Sequence, residues 1–360
     1  MPSEYDLTGK FAKRDQVDYK NMPSAQSAQQ TVKLLFKNWK SFFKANKEYN
    51  KNPSKFKARP KMPRYKEKHG KNIVVFTAQN AKIKDGFIHF PKKANIEPIK
   101  TKVSSLVQVR IIPQATCTIV EIVYKKEKKQ VDVVNETWLS IDLGLNNLVT
   151  SFNNIGKKPF IVNGKIIKSI NQYYNKKKAK LMSFIGDRGV SNKINRLTHK
   201  RNMKINDYMH KTSRYIIDYA IEHKLEKIII GDNVDWKQSI NIGKKNNQKF
   251  VSIPHSKLIE QIQYKADEVG IEVVLTEESY TSKTDHFALE PLKKHGCDKV
   301  ARPTLGKRVK RGLFRSSTGR IINADANGAI GIARKVICES SISELLANRG
   351  VVTTPFRVQL

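Results

Sequence analysis

The chain has 360 residues, with 68 Lys plus Arg against 32 Asp plus Glu and a formal net charge of +36. Hydrophobic residues at 39% and charged residues at 28% describe a soluble globular protein large enough for two domains or more. So large a cationic surplus calls for a polyanionic partner; because no apolar run approaches the ~18 residues needed to cross a bilayer, nucleic acid is expected and a membrane is not.

Residues 1–24 are polar and weakly patterned and read as a loose arm. Over 25–47, Val32, Leu35, Phe36, Trp39, Phe42 and Phe43 recur at helical spacing, beside a separate stripe that includes Lys37, Lys40 and Lys44. The stripe runs on into a Pro-interrupted stretch with Arg59 and Arg64. From 33 to 72 there are fourteen Lys/Arg against two acids, with aromatics interleaved, a pattern suited to a groove that follows a phosphate backbone. Residues 1–72 are therefore expected to form a helical, basic N-terminal segment. Between 73 and 135, short apolar runs at 73–76, 87–90, 107–112 and 116–123 are separated by turn signals and predict a small antiparallel β-domain.

From 136 to the C-terminus the pattern changes again. Strands at 138–142, 148–152 and near 160–167, with a turn at Asn163-Gly164, make a meander. A long basic segment follows, with thirteen Lys/Arg against two acids over 165–211 and a helical apolar face on its second part. Lys200 and Arg201 lie in this insertion, at about 168–224. A strand at 227–230, a helix at about 256–269 and a strand at 271–275 complete the order of an α/β RNase H-like domain with a mixed sheet. The segment at about 284–322 reads as a basic loop.

Carboxylates are scarce and placed at element ends. Asp142 ends the run Trp138–Ile141, Glu277 and Glu278 follow the run Ile271–Leu275, and Asp325 opens a small-residue, helix-like stretch. An Asp at a strand end is commonly a turn former and one before a helix an N-cap. In this order within so basic a chain, the acids instead point to ligands for paired divalent ions, hard oxygen donors suited to magnesium or manganese. No zinc is expected, since His286, His295 and Cys297 lack paired spacing. The three cysteines (Cys117, Cys297, Cys338) do not suggest a disulfide framework and indicate a reducing cytoplasm.

At Ser140-Ile141-Asp142-Leu143-Gly144 and Asn323-Ala324-Asp325-Ala326-Asn327-Gly328-Ala329 the chain resembles the OrfB/TnpB family. These are transposase-associated proteins of bacterial insertion sequences, related to the type V CRISPR nucleases. Trp236-Lys237-Gln238, Gly243-Lys244-Lys245-Asn246-Asn247, Glu277-Glu278-Ser279-Tyr280-Thr281-Ser282-Lys283 and Lys310-Arg311-Gly312-Leu313-Phe314 extend the likeness, which runs from about residue 25 to the C-terminus. It implies a RuvC-like nuclease domain, a guide RNA copied from the element's own end, a double-stranded DNA target, a companion transposase from the same element and a location with the bacterial nucleoid. Asp142 and Asp325 match the family's first and third acids. The strand that usually ends in the second acid here ends in Gly231, so that role falls to Glu278, with Glu277 and Asp232 as alternatives. The zinc ribbon of many members has no cysteine pairs here. The usual N-terminal strand and first helix have no counterpart ahead of residue 25. A truncated or nuclease-inactive copy acting as an RNA-guided DNA-binding repressor is the second reading, and a strand-transfer transposase ranks below it.

Overall fold

The computed structural model describes residues 3–67, 70–128, 136–186, 189–232, 253–292, 305–310, 312–347 and 354–360. It divides into two compact units, Met1–Lys126 and Glu127–Leu360.

In the first unit, helices occupy most of what reads as a loose arm: α1 (Glu4–Lys13) and α2 (Val17–Lys20) precede the long α3 (Ala25–Lys51). A capping box between Ser3 and Asp6 starts α1, and the Gln16 side chain caps α2. These signals sit on segments without a buried residue, which is why apolar periodicity does not reveal them. On α3, Ser27, Ala28, Val32 and Phe36 are buried, while Leu35 and Phe43 stay exposed. Six short strands follow: β1 (Val74–Thr77), β2 (Lys82–Lys84), β3 (Phe87–His89), β4 (Ile99–Lys100), β5 (Gln108–Pro113) and β6 (Thr118–Val123). They form two three-stranded antiparallel sheets, β1-β5-β6 and β2-β3-β4, around Phe76, Ala81, Ile88 and Val109.

The second unit is built on β7 (Trp138–Leu143), β8 (Asn147–Asn153), β9 (Phe160–Asn163), β10 (Lys227–Gly231), β11 (Glu272–Thr276) and the short C-terminal β15 (Phe356–Val358). The sheet order is β11-β10-β7-β8-β9-β15. β7, β8 and β9 pair antiparallel, whereas β10 lies parallel to both β7 and β11. Asn163-Gly164 is not a hairpin turn. Gly164 instead begins a helix: α4 (Lys165–Ile185) leaves the strand there, and α5 (Asn192–Glu222) returns along it. A Cβ at Gly164 would run into the Leu145 carbonyl, so only glycine permits this junction. After β10, α6 (His255–Val269) leads into β11.

Alternation along β7 divides the sheet into two faces. Leu139 and Ile141 join Ile228, Ile230 and the apolar sides of α5 and α6 in the larger core. Trp138 and Ile229 point the other way, onto α7 (Ala324–Arg334) and α8 (Glu339–Ala347), where Ala329, Ile330, Ile332, Ala333 and Ile342 close a second core. Asp142 shares the parity of Trp138 and therefore belongs to the α7 face.

The segment that reads as a basic loop is partly a sheet: β12 (Lys307–Lys310), β13 (Leu313–Arg315) and β14 (Ile321–Asn323) pair antiparallel over Phe314 and Ile322. Its alternation is hidden because the outward positions are Lys and Arg and the strands are three or four residues long.

A buried polar hub ties these parts together. His286 is fully buried and held neutral, its pKa pushed down to about 3 by desolvation. Nε2–H donates to the Thr281 carbonyl at 2.7 Å, and Nδ1 accepts from Arg334 Nη1 at 3.1 Å, a pairing only the neutral ring can make. Arg334 also donates to the Glu290 carbonyl and to Glu339. Desolvation works against an ionised Asp285, but donors from Ser317, Ser316 and Ala288 outweigh it and hold its pKa below the usual value. Among the described residues, no helix is long and apolar enough to cross a membrane.

Gly331 faces this hub, and a Cβ there would stand 2.5 Å from His286 Nε2 and 2.7 Å from Thr281 Cβ. Gly331→Ala should therefore destabilise the unit by ~1–3 kcal/mol through overpacking. Urea denaturation measures this, and an unchanged midpoint would show that the hub yields.

Candidate active site

Three parallel strands, β7, β10 and β11, deliver their C-terminal ends to one edge of the sheet. Ile141 pairs with Ile230, and Gly231 with Thr276, so Asp142, Gly231 and the Glu277-Glu278 pair come out in line. Asp325 arrives separately, in the first turn of α7, whose N-cap Asn323 accepts from the Asp325 and Ala326 amides. There the helix dipole favours a negative charge.

Asp142, Glu278 and Asp325 are electrostatically one group. The Asp142 carboxyl is held well above the usual carboxylate range, first by desolvation and then by the charges of Glu278 and Asp325; Arg308 opposes them. Close packing makes room for this. A Cβ at Gly328 would lie 2.5 Å from Asp142 Oδ2, so glycine there lets the helix ride directly over the carboxylate. A Cβ at Gly231 would lie 2.6 Å from Ile332 Cδ1 and 3.0 Å from Glu278 Oε2. Glu278 thus occupies the space that a side chain on the end of β10 would fill.

Local turns position each acid. Thr281 Oγ1 donates to the Glu278 carbonyl at 2.9 Å, and Tyr280 adopts φ +62° to close the turn. Asn147 Nδ2 donates to Asp325 Oδ2 at 2.6 Å, and Arg357 on β15 donates to Asn147 Oδ1 at 3.3 Å. Lys168 Nζ, at the root of α4, donates to the neighbouring Asn146 Oδ1 at 2.6 Å.

The alternatives for the second acid separate from this group. Glu277 is ion-paired with Lys335 and bonded to Ser279; against desolvation, these contacts hold its pKa below the usual value. Its carboxylate is thus engaged with Lys335 and Ser279. Asp232 follows Gly231, but Glu278 and Asp325 are the carboxylates whose charge acts most on Asp142. Sequence reasoning missed Asn147 and Arg308. Neither carries a motif: one is a strand-entry Asn, the other a single cation within a basic run.

The chemistry of the donors suits a hard divalent cation, since carboxylate oxygens are its usual ligands and the charges of Glu278 and Asp325 already bear on Asp142. Among the described residues, no group of three or more His, Cys, Asp or Glu side chains lies close enough together to hold a metal ion as it stands.

The basic residues named from sequence are distributed over both units. Lys37, Lys40, Lys44, Arg59 and Arg64 are exposed in the first, with Arg59 and Arg64 lining a groove of ≈ 840 Å³ beside Phe42. In the second unit, Lys200 and Lys310 are exposed. Arg201 is half-buried, its Nε donating to Asn171 Oδ1 at 2.7 Å and its guanidinium lying over the Tyr174 ring, so it serves the hairpin itself. Trp236, Lys237, Lys244, Lys245 and Arg311 lie outside the described residues, as do His295 and Cys297.

Comparison with known proteins agrees with the motifs. A mixed α/β unit with acids gathered at the carboxyl edge of its sheet coincides with the region matched by two family models. The OrfB_IS605 family, described as "Probable transposase", matches residues 121–237, and "Cas12f1-like, TNB domain" matches residues 255–332. A TnpB-like protein of Methanocaldococcus jannaschii is 28% identical over 183 residues, covering 45% of this chain and 63% of that protein. The CRISPR-associated endodeoxyribonuclease Cas12f1 of Sulfoacidibacillus thermotolerans is 30% identical over 136 residues, covering 36% of this chain and 28% of the relative. The chain thus spans less than two thirds of the length of these relatives. A solved Cas12f1–sgRNA–target DNA complex is 13% identical, with a TM-score of 0.42 over 94% of this chain and 87% of that one. The chain is thus similar, over parts of its length, to OrfB/TnpB proteins and to Cas12f-type effectors.

Relieving the repulsion at Asp142 should stabilise the metal-free protein. A carboxyl with a raised folded pKa holds its proton more tightly folded than unfolded. Stability is therefore full below the ordinary value of 3.8 and falls as pH climbs through the folded pKa. At neutral pH and in chelator, Asp142→Asn is expected to raise Tm by a few degrees and to abolish any increase on adding magnesium. A lower Tm in chelator would mean that Asp142 is held by contacts worth more than the repulsion.

Proposed function

We propose that this protein is an RNA-guided, metal-dependent endodeoxyribonuclease of the OrfB/TnpB type, acting through a RuvC-like, RNase H-fold unit. The observation that carries the reading is the convergence of Asp142, Glu278 and Asp325, with Glu278 filling the place left by Gly231. The sheet order supports the fold: an antiparallel meander of three strands, then two strands added parallel on the other side of the first.

In this reading, Asp142, Glu278 and Asp325 hold magnesium or manganese, and Glu277 and Asp232 do not. Held by these carboxylates, divalent ions would supply the Lewis acidity that phosphodiester hydrolysis calls for. Asp142 contributes from the rigid centre of the sheet, where pairing with β8 and β10 fixes its backbone. Asn147 holds the Asp325 carboxylate through Oδ2, orienting the other oxygen. Arg308 places a positive charge beside an otherwise acidic group, where an approaching phosphate would meet it. Exposed cations, Lys37, Lys40, Lys44, Arg59, Arg64, Lys200 and Lys310 among them, grip the sugar–phosphate backbones of guide RNA and duplex target. A companion transposase and a place at the bacterial nucleoid complete the picture.

The test begins by sequencing RNA that co-purifies with the protein and offering duplex DNA matched to it. Asp142→Ala, Glu278→Ala and Asp325→Ala should each reduce magnesium-dependent cutting to the chelator background while retaining RNA and DNA affinity within a few-fold. Full activity in Glu278→Ala would move the second ligand elsewhere. Absence of cutting by the unaltered protein, with guided binding intact, would favour the repressor reading.

Affinity for nucleic acid should also fall by about a thousandfold or more between roughly 50 and 200 mM salt, as released counterions require for six or more phosphate contacts. A shallow slope in a filter-binding titration would contradict the backbone-gripping role of the cations.

A further inference from the structure

We propose that the groove between α4 and α5 is a binding site for single-stranded DNA, holding an unpaired stretch of the substrate strand next to the acidic group. The proposal deepens the nuclease reading, on which the identity of the strand rests.

The hairpin encloses a groove of ≈ 800 Å³ lined by Tyr173, Lys177, Lys180, Phe184, Arg196 and Lys200, among others, with no acid in its lining. Two large aromatic side chains in it are left to solvent: Tyr173 is 60% and Phe184 73% exposed. Framing one groove, the two rings offer open faces on which a flat ligand could stack. What covers them must be anionic, because α4 has no Asp or Glu in its whole length and six lysines. A second copy of this chain, at +36, would bring cations against cations.

The pattern also says which anion. Lys177 Nζ sits 5.8 Å from the Tyr173 ring centroid, while Lys178 and Arg201 flank Tyr174 at 5.9 and 5.6 Å. Alternating ring faces and cations match the alternation of base and phosphate in an unpaired strand, whose base faces are open to stacking. A duplex hides those faces and would meet only the lysines. From Ser169 to Phe184 the helix rises about 22 Å, enough for roughly four nucleotides, the lower end of known single-strand sites.

Position favours the strand being cut. Lys168, one residue before the lining begins, donates to Asn146, whose neighbour Asn147 holds Asp325. The mouth of the groove thus adjoins the residues that position an acid, so an unpaired strand at the acids can continue directly along the hairpin.

The experiment uses the full chain with its co-purified RNA, in chelator, so that no cutting occurs. Fluorescence anisotropy with a labelled oligo-dT should show Tyr173→Ala/Phe184→Ala binding about tenfold or more weakly, and Tyr173→Phe/Phe184→Tyr binding normally. Affinity for a duplex of equal length should change less than about twofold, and circular dichroism should show unaltered melting, as expected for exposed rings. Photo-crosslinking with 5-iododeoxyuridine in the target strand, or 5-iodouridine in the guide, should mark the hairpin from the DNA arm. Undiminished oligo-dT binding, an equal loss for duplex, or crosslinks from RNA alone would overturn the proposal. Because these readouts are taken without magnesium, a protein that binds oligo-dT through the groove but never cuts would sink only the nuclease reading.

Discussion

Holding Asp142 where the charges of Glu278 and Asp325 bear on it is the constraint around which this edge of the sheet is arranged. Each added charge makes the next harder to ionise, and burial sharpens the effect. The sheet meets the difficulty by rigidity: three parallel strands fixed by ladder pairing cannot splay their ends apart. Glycine meets it by proximity, Gly328 letting a helix lie on the Asp142 carboxylate and Gly231 leaving room for Glu278. Beneath, the neutral His286 and the charged Arg334 lock the turn after Glu278 against the same helix. The like charges around Asp142 oppose its ionisation, and strongly perturbed carboxyls of this kind gather at functional sites.

Much of the architecture was legible because buried strands announce themselves. The runs ending at Asp142 and Gly231 are largely apolar stretches, as strands covered on both faces must be, and the part-exposed edge strand ending at Thr276 shows a shorter apolar run. The order of strands and helices was readable for the same reason. Glu278 was reachable from sequence only through a resemblance and a missing Glu at 231; the structure supplies a spatial reason, since its Oε2 already stands beside Gly231. Other features left no such trace. Strands β2, β4 and β15 are two or three residues long, too short for a period to show. The β12-β13-β14 sheet carries its apolar pair, Phe314 and Ile322, among cations that read as a loop. Asn163-Gly164 has the composition of a hairpin, yet the following residues have helical spacing and the helix prevailed.

Charge is distributed by task. Cations crowd the outer positions of α3, α4 and β12, where they remain hydrated, and most of the ion pairs join exposed partners that contribute little to stability. Three acids of the second unit separate into two kinds. Glu277 and Asp285 are satisfied by donors and hold the turn and hairpin in place; Asp142 is surrounded by like charges. Partnering, more than burial, is what distinguishes scaffold from site.

Glu278 is carried on a turn, not on a strand. Asp142 moves only if the sheet moves, but Glu278 is tethered by a few hydrogen bonds, each contributing on the order of 1 kcal/mol. The same tether runs through Asp285 to Ser316 and Ser317, beside the last two strands of the cationic sheet. A load on that sheet would therefore reach Glu278 before Asp142, a carboxylate on a compliant turn facing one on a fixed strand.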